Sequence, residues 1–545
     1  MLDGCVSRCK ADAARYRQAG YWAGESIGVA MRRWSAAQQG RTALVGAGRR
    51  YSYAELDAWA DRLATGLRER GIARGDRIVV QLPNIPEFVA LCLALFRSGV
   101  IPVFALPAHR AHEIRHLCEI SGAVGYVIPD LHLGFDHRAL AAEIQRSVPA
   151  VEHIFVVGEP GAFTALGEIE AAVGGTPEKS AAPDEADPGD VAFFLLSGGT
   201  TALPKLIPRT HDDYLYQVRT TAQVCALDQD TVYLAVLPVE FNFTWGCPGV
   251  LGTLHAGGTV VLATDPSPET CFPLIARERV TLTSVVPTIA HLWMEAAPDT
   301  REDLSSLRTL QIGSAKLHRE VAEQVGPTLG CDLQQVFGMA EGLLTMTRHD
   351  DPAETVLTTQ GRPVSPADEI RVADPVTGAL VPDGAVGELV TRGPYTLNGY
   401  YRAPEHNAQV FTDDGFFRTG DLVRITADGN MVVEGRVKDV VIRGGDKVSA
   451  TELEGHLINH PKVGQAAVVA LPDPVLGEAV CACVIADGAP PRLIELKKML
   501  MARGVADYKL PDRLETYEAF PLTGLGKVDK KQLTADVLRR AAADA

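Results

Sequence analysis

No stretch of this 545-residue chain stays apolar long enough to cross a bilayer. The longest apolar run, Phe88 to Phe96, stops at Arg97-Ser98-Gly99, whereas a spanning helix needs about 20 such residues. Met1 to Tyr21 is polar and charged, with no apolar segment of the kind a signal peptide carries. A cytoplasmic location without a membrane partner is the expectation. Basic charge is also short: Lys+Arg number 52 against 68 Asp+Glu, a net of −16. That balance argues against wrapping nucleic acid, which takes a basic footprint. It leaves room for a small anionic nucleotide, because local donors decide that. Ten cysteines fall at irregular spacings, which is not a disulfide framework. Cys481-x-Cys483 lacks metal-site spacing and a partner pair, so buried free thiols are expected. The pattern G-x-x-x-x-G-K-[ST] is absent, as is any internal repeat.

What is there is ordinary for a globular chain: 46% hydrophobic and 22% charged residues. The length is too great for one core, so two or more domains are expected. Ser52 to Gly71 carries apolar residues at Leu56, Trp59, Leu63 and Leu67, a helical spacing. Ile78 to Leu82 predicts a strand and Pro86 to Ser98 a buried helix; Tyr126–Ile128 and His153–Val157 predict further strands. Strands alternating with helices imply an α/β architecture with mainly parallel sheets. Residues 176–190 resemble a surface linker. The texture then changes: short strands at Gly429–Glu434, Val440–Arg443 and Ala466–Ala470 accompany helices at Thr451–Asn459 and Leu493–Arg503. These predict a small α+β domain of about 110 residues.

The most informative block is Ser197-Gly198-Gly199-Thr200-Thr201-Ala202-Leu203-Pro204-Lys205, which follows the apolar run Val191 to Leu196. The pattern predicts a buried strand opening into a donor-rich loop. Glycines let backbone N–H groups approach an anion, and hydroxyls and a lysine add donors. A triphosphate needs such a loop, although a plain loop shares the composition.

Further blocks follow in order: Gln334-Gln-Val-Phe-Gly-Met-Ala-Glu-Gly342, Phe417-Arg-Thr-Gly-Asp421, Glu434-Gly-Arg-Val-Lys-Asp439, Arg443-Gly-Gly-Asp-Lys447 and Gly524-Leu-Gly-Lys-Val-Asp529. From about Tyr51 to Leu533 the chain resembles the adenylate-forming superfamily of acyl-CoA ligases, luciferases and peptide-synthetase adenylation domains. Lys205-Leu-Ile-Pro-Arg-Thr-His-Asp-Asp-Tyr214, Ala105-Leu-Pro-Ala-His-Arg110 and Arg392-Gly-Pro-Tyr-Thr-Leu-Asn-Gly-Tyr-Tyr401 are similar to the stand-alone aryl-acid adenylating enzymes. The resemblance implies a large N-terminal domain, residues 1–437, with mainly parallel sheets sandwiched by helices and a β-barrel-like subdomain. A small mobile α+β domain, residues 438–545, would carry the catalytic lysine.

It also implies roles. ATP and Mg²⁺ are the expected cofactors. Lys527 would bridge the acid carboxylate and the α-phosphate; a solvated loop lysine would look alike, as Lys530 and Lys531 are expected to be. Glu341 would contact Mg²⁺, which takes one or two carboxylates when bound to phosphates. Ser197, Gly198, Gly199, Thr200, Thr201 and Lys205 would hold the phosphates. Asp421 would accept from the ribose hydroxyls, with Arg436 as a second contact to ribose or phosphate. Gly313, Val336 and Phe337 would hold adenine. Lys447 would act after the small domain turns about a hinge at Lys438.

The acid pocket falls on Pro238-Val-Glu-Phe-Asn-Phe-Thr-Trp-Gly-Cys-Pro-Gly249. Asn242 resembles the residue that reads the ortho substituent; an amide donates and accepts, so it fits a 2-hydroxy or a 2-amino group. Phe243 would stack on the ring, and Leu344 would add apolar wall. Cys247 stands where dihydroxybenzoate enzymes often carry serine and salicylate enzymes cysteine; a thiol does little for a 3-hydroxyl. Phe241 replaces a common histidine, Glu240 an apolar residue, Ser314 a usual glycine and Ala202 another; Trp245 is bulky. These departures keep 2,3-dihydroxybenzoate, 3-hydroxyanthranilate and 3-hydroxypicolinate open beside a salicylate-like acid.

The implied reaction is ATP-dependent formation of an aryl-AMP with release of pyrophosphate. The acyl group then passes to the phosphopantetheine thiol of a separate aryl carrier protein, since the chain ends about 15 residues after Lys530. Siderophore and other nonribosomal assembly use this step. An aryl-CoA ligase and a non-catalytic nucleotide-binding homologue are the alternatives.

Overall fold

The structure, a computed structural model, describes residues 2–171, 186–197, 203–443, 446–473, 476–503, 505, 507–524 and 526–543. Two compact units make up the chain. One comprises Met1–Leu357, Pro363–Glu369 and Arg392–Phe417; the other comprises Thr358–Arg362, Ile370–Thr391 and Arg418–Ala545.

The first unit holds two large sheets. Six parallel strands run through the first in the order Asp332–Gly338, Thr309–Gly313, Leu282–Val285, Val232–Ala235, Thr259–Leu262 and Thr42–Gly46. Arg49–Ser52 and Leu344–Met346 pair antiparallel at its sides. The second sheet runs Leu206–Thr210, Val191–Leu196, Ile101–Phe104, Arg77–Val80, Gly125–Pro129, His153–Val157 and Thr164–Ala165. It is parallel except for the hairpin formed by Val191–Leu196 and Leu206–Thr210. Parallel strands buried on both faces need near-continuous apolar runs, and Leu282–Val285 and Ile101–Phe104 are buried throughout.

Helix bounds follow local chemistry. Tyr53–Glu69 begins at a capping box in which Ser52 and Glu55 satisfy each other's backbone N–H groups. Pro86–Ser98 places its proline in the first turn, where no N–H is needed, and ends at Gly99 with φ 64. That helix is buried on nearly every side and packs with Phe104, Phe193 and Trp245 in the largest core. Trp245 therefore does not widen or narrow the acid pocket: its ring meets Phe88 and Phe104 edge-on.

The second unit has a four-stranded sheet, Glu369–Ala373, Gly387–Arg392, Phe417–Ile425 and Met431–Arg436, and a five-stranded one centred on Gly477–Ala486. Period-2 alternation explains the latter. Val480, Ala482 and Val484 face Leu453, Leu457, Leu496 and Leu500. Cys481 and Cys483 face Leu533 and Val537 of the helix Lys530–Ala543. Lys530 is not a solvated lysine: its Nζ lies 2.7 Å from the carboxylate of Glu454, itself 13% exposed. Most cysteines are buried thiols as expected, with Cys9 exposed. Residues 176–185 of the expected linker lie outside the described residues.

Candidate active site

In the first unit the expected residues gather at the carboxyl ends of the parallel strands, the usual place for ligands in an α/β sheet. Gly313 ends its strand opposite Val336, and Phe337 and Gly338 pair with Thr345 and Leu344. A Cβ on Gly313 would lie 2.7 Å from the Val336 carbonyl and 3.1 Å from the Phe243 ring. Glycine at 313 is thus needed for the close approach of these two walls. Phe243, Cys247, Val336 and Leu344 share one apolar cluster, with Phe241 packed against it. Ser314 follows at φ 70, a left-handed conformation that costs a non-glycine residue.

Asn242 opens the short helix Asn242–Gly246 and is buried. Its Oδ1 accepts from Tyr214 Oη at 2.9 Å and from Gln217 Nε2 at 3.2 Å. Its Nδ2 donates to the Met339 carbonyl at 3.4 Å. Gln217 Nε2 also donates to the Gly246 carbonyl at 3.0 Å and lies 3.4 Å from Cys247 Sγ. Glu240 is buried with no hydrogen-bond partner at either oxygen, and burial pushes its carboxyl up to about 8. It lies near Cys92 of the helix Pro86–Ser98.

The expected phosphate loop is flanked by a hairpin closed at Ser197 and Lys205. The Ser197 N–H donates to the Lys205 carbonyl at 3.0 Å, and Ser197 Oγ accepts from the Lys205 N–H at 3.0 Å. Gly198, Gly199, Thr200, Thr201 and Ala202 lie outside the described residues. Lys205 Nζ sits 6.0 Å from the centre of the Tyr400 ring. Tyr400 donates to Glu341 Oε1 at 2.7 Å. Burial, and then this carboxylate beside it, drives the phenol strongly upward. Glu341 is buried, not a surface residue. Gly342 beside it has φ 91, and a Cβ there would come within 2.0 Å of the Tyr395 carbonyl. No cluster of three or more His, Cys, Asp or Glu that could cage a metal is present among the described residues. A single buried carboxylate suits a Mg²⁺ that arrives on phosphate oxygens.

In the second unit, Asp421 and Arg436 face each other across adjacent strands, with Arg436 Nε 2.9 Å from Asp421 Oδ1. Burial raises Asp421 and Arg436 opposes the shift. Lys527 joins them: burial, then Arg436, lowers its ammonium to about 8, and Asp421 partly restores it. Thr523 fixes the loop, receiving the Lys527 N–H on Oγ1 at 3.2 Å and donating its own N–H to the Lys527 carbonyl at 2.7 Å. Lys438 lies in the single turn Val437–Asp439, none of whose residues is buried. Lys447 pairs through its backbone with Ile442.

Sequence reasoning missed Tyr214, Gln217, Arg209 and Tyr400 as site residues. Tyr214, Arg209 and Tyr400 lie inside the motif blocks, which was the available signal; Gln217 had none.

The AMP-binding enzyme family matches residues 31–401, and the AMP-binding enzyme C-terminal domain matches residues 452–527. The chain is 52% identical over 521 residues to 2,3-dihydroxybenzoate-AMP ligase of Bacillus subtilis, covering 96% of this chain and 95% of that protein. It is 48% identical over 531 residues to salicyl-AMP ligase / salicyl-S-ArCP synthetase of Mycobacterium tuberculosis, covering 96% and 92%. The apo structure of MbtA from Mycobacterium smegmatis matches with a TM-score of 0.76 at 46% identity, over 98% of both chains. By this likeness along nearly its whole length, the chain belongs to the AMP-binding enzyme family.

Proposed function

We propose that this enzyme activates a salicylate-like aryl acid as its aryl-AMP and hands the acyl group to the phosphopantetheine thiol of a separate carrier protein. The observation that carries the aryl part is the apolar cluster of Phe243, Cys247, Val336 and Leu344 with the buried amide of Asn242 beside it. A flat ring fits between such walls, and one polar reader fixes its orientation. Cys247, already 3.4 Å from Gln217 Nε2, offers little to a 3-hydroxyl, which favours salicylate over 2,3-dihydroxybenzoate.

In the first step a carboxylate oxygen bonds to the α-phosphorus of ATP. The bond from that phosphorus to the bridging oxygen breaks, and pyrophosphate leaves with the electron pair. Charge accumulates on phosphoryl oxygens, so the step needs positioned cations and donors. Lys527 supplies a cation at the forming bond. Ser197 to Thr201 and Lys205 hold the phosphates. Gly313, Val336 and Phe337 take the adenine, and Asp421 with Arg436 the ribose. Glu341, held by Tyr400, would hold Mg²⁺, which would offset phosphate charge. In the second step the thiol sulfur bonds to the acyl carbon, AMP leaves and the thiol proton passes to solvent. A turn of residues 438–545 at Lys438 would bring Lys447 into play for it. The salicyl-S-ArCP part of the tuberculosis relative's name supports a carrier as acceptor.

Purified enzyme, ATP, Mg²⁺ and salicylate incubated with either a phosphopantetheinylated aryl carrier protein or CoA tests this. Acid-dependent pyrophosphate release followed by salicyl-carrier thioester is the expected result. Salicyl-CoA formed faster than the carrier thioester would replace the acceptor, and no acid-dependent pyrophosphate would overturn the proposal.

A further inference from the structure

Asn242 as a reader leaves one question of chemistry: whether it offers the acid a donor or an acceptor. An isolated amide can do either. This one is held in a network anchored by groups of a single polarity, and the Tyr214 hydroxyl, which can donate or accept, follows them. Arg209 is fully buried and can only donate. Its Nε lies 3.0 Å from Asp213 Oδ1, its Nη1 3.0 Å from the Ala340 carbonyl, and its Nη2 3.0 Å from Gln217 Oε1. Gln217 must therefore turn its oxygen to the guanidinium and its nitrogen away. The nitrogen meets the Gly246 carbonyl at 3.0 Å, which can only accept. Gln217 is thus fixed at both ends. That nitrogen donates to Asn242 Oδ1 at 3.2 Å, beside the Tyr214 hydroxyl at 2.9 Å. On the other side the Met339 carbonyl takes one N–H of Asn242 at 3.4 Å. Two donors fill its oxygen and one acceptor takes one of its two N–H bonds. One N–H is left.

We infer that Arg209 and Gln217 are positioning residues that set the polarity of the Asn242 amide, so that the site selects an ortho hydroxyl or phenolate oxygen and rejects an ortho amino group. The inference rests on the aryl-acid function proposed above and narrows it. A 2-hydroxyl donates to its own carboxylate, which leaves its oxygen as an acceptor for the Asn242 N–H. A 2-amino group has its lone pair drawn into the ring and turns a second N–H outward. That sets donor against donor, with no water to relieve it in a buried site. Reversing the amide would place its oxygen against the Met339 carbonyl and its nitrogen against Gln217 Nε2. The fold therefore resists adapting to an amino-bearing acid.

The test is acid-dependent pyrophosphate exchange on benzoate, salicylate and anthranilate, with wild type, Gln217→Glu and Gln217→Met. Benzoate has no ortho group and reports general damage. Wild type should use salicylate at least roughly tenfold better than anthranilate in kcat/KM, the worth of one buried hydrogen bond gained against one donor clash. The carboxylate introduced by Gln217→Glu would present only acceptors, to Arg209 and Asn242 alike, and so favours the reversed amide. In that variant the salicylate-to-anthranilate ratio should fall about tenfold, with the benzoate value changed far less. Gln217→Met removes the polarity signal without adding charge and should bring the ratio to an intermediate value. The wild-type ratio stands as a test even if neither variant folds. Equal use of salicylate and anthranilate by wild type, or a ratio that stays put in the variants while all three acids drop together, would overturn the inference and leave the aryl-acid function standing. Failure of all three acids in wild type would instead overturn the aryl-acid function, and the inference with it.

Discussion

At the scale of single residues, Lys527 is the most open to test. Its ammonium is held at about 8 by burial and by Arg436, against the pull of Asp421. Lys527→Ala should lower the adenylation rate by about 10²–10³, the cost of removing one donor aimed at developing charge. Binding of ATP should change little, and transfer from pre-made aryl-AMP should survive better than adenylation. The same group predicts a pH profile. kcat/KM reports ionisations of the free enzyme. Adenylation should therefore hold up to neutrality and fall as pH rises through about 8, as the lysine loses its proton. A profile that stays flat well above this point would place the working cation elsewhere. Gly342 makes a steric prediction. Gly342→Ala pushes a Cβ into the Tyr395 carbonyl, 2.0 Å away at a φ of 91, so the neighbouring Glu341 must move. Adenylation should drop at least roughly tenfold, and thermal unfolding should show a loss of about 2 kcal/mol or more.

At the scale of elements, the turn Val437–Asp439 is expected to be the hinge. Proline fixes φ near −65°, a value that single-turn helices already use. Lys438→Pro should thus leave this conformation intact and hinder its change. Adenylation should persist while transfer to the carrier falls, as read by separate pyrophosphate-exchange and thioester assays; equal loss of both would make residue 438 structural. Elements were also what local sequence could convey. Pro86–Ser98 was legible to the residue because a first-turn proline, a continuous apolar run and a glycine C-cap are all local signals. The helix read as Ser52 to Gly71 proved to be Tyr53–Glu69, since its caps were counted as helix. Trp245 and Lys530 were misplaced because their partners, Phe88 with Phe104 and Glu454, lie far off in the chain. The chain of bonds from Arg209 through Gln217 to Asn242 was hidden for a different reason. Arg209 and Asn242 lie in blocks the sequence singles out, but Gln217, which joins them, is an unremarkable polar residue, and only packing gives it a direction.

At the scale of the whole molecule, two buried carboxyls leave a mark on stability. Glu240 and Asp368 are both pushed up to about 8 by burial, although Asp368 accepts from Tyr395 at 2.6 Å. Their unfolded values lie near 4. Between those limits the folded protein binds protons that the unfolded chain has released. Stability should therefore be greatest on the acid side of this window, fall as pH rises towards 8, and level off above it. Each group contributes at most roughly 1.4 kcal/mol per pH unit. Glu240→Gln should flatten that slope and leave the protein more stable than wild type on the alkaline side of the window. A denaturation series across this pH range with an unchanged slope would mean that Glu240 is ionised in the fold.

The central claim is that this molecule joins an aryl carboxylate to AMP. The direct measurement is mass spectrometry of the enzyme quenched after mixing with ATP, Mg²⁺ and salicylate, without any acceptor thiol. The account predicts salicyl-AMP in near-stoichiometric amount on wild type, pyrophosphate to match, and neither product from Lys527→Ala on the same timescale. Hydrolysis of ATP that does not depend on the acid, or no adenylate with any ortho-hydroxy aryl acid, would contradict it.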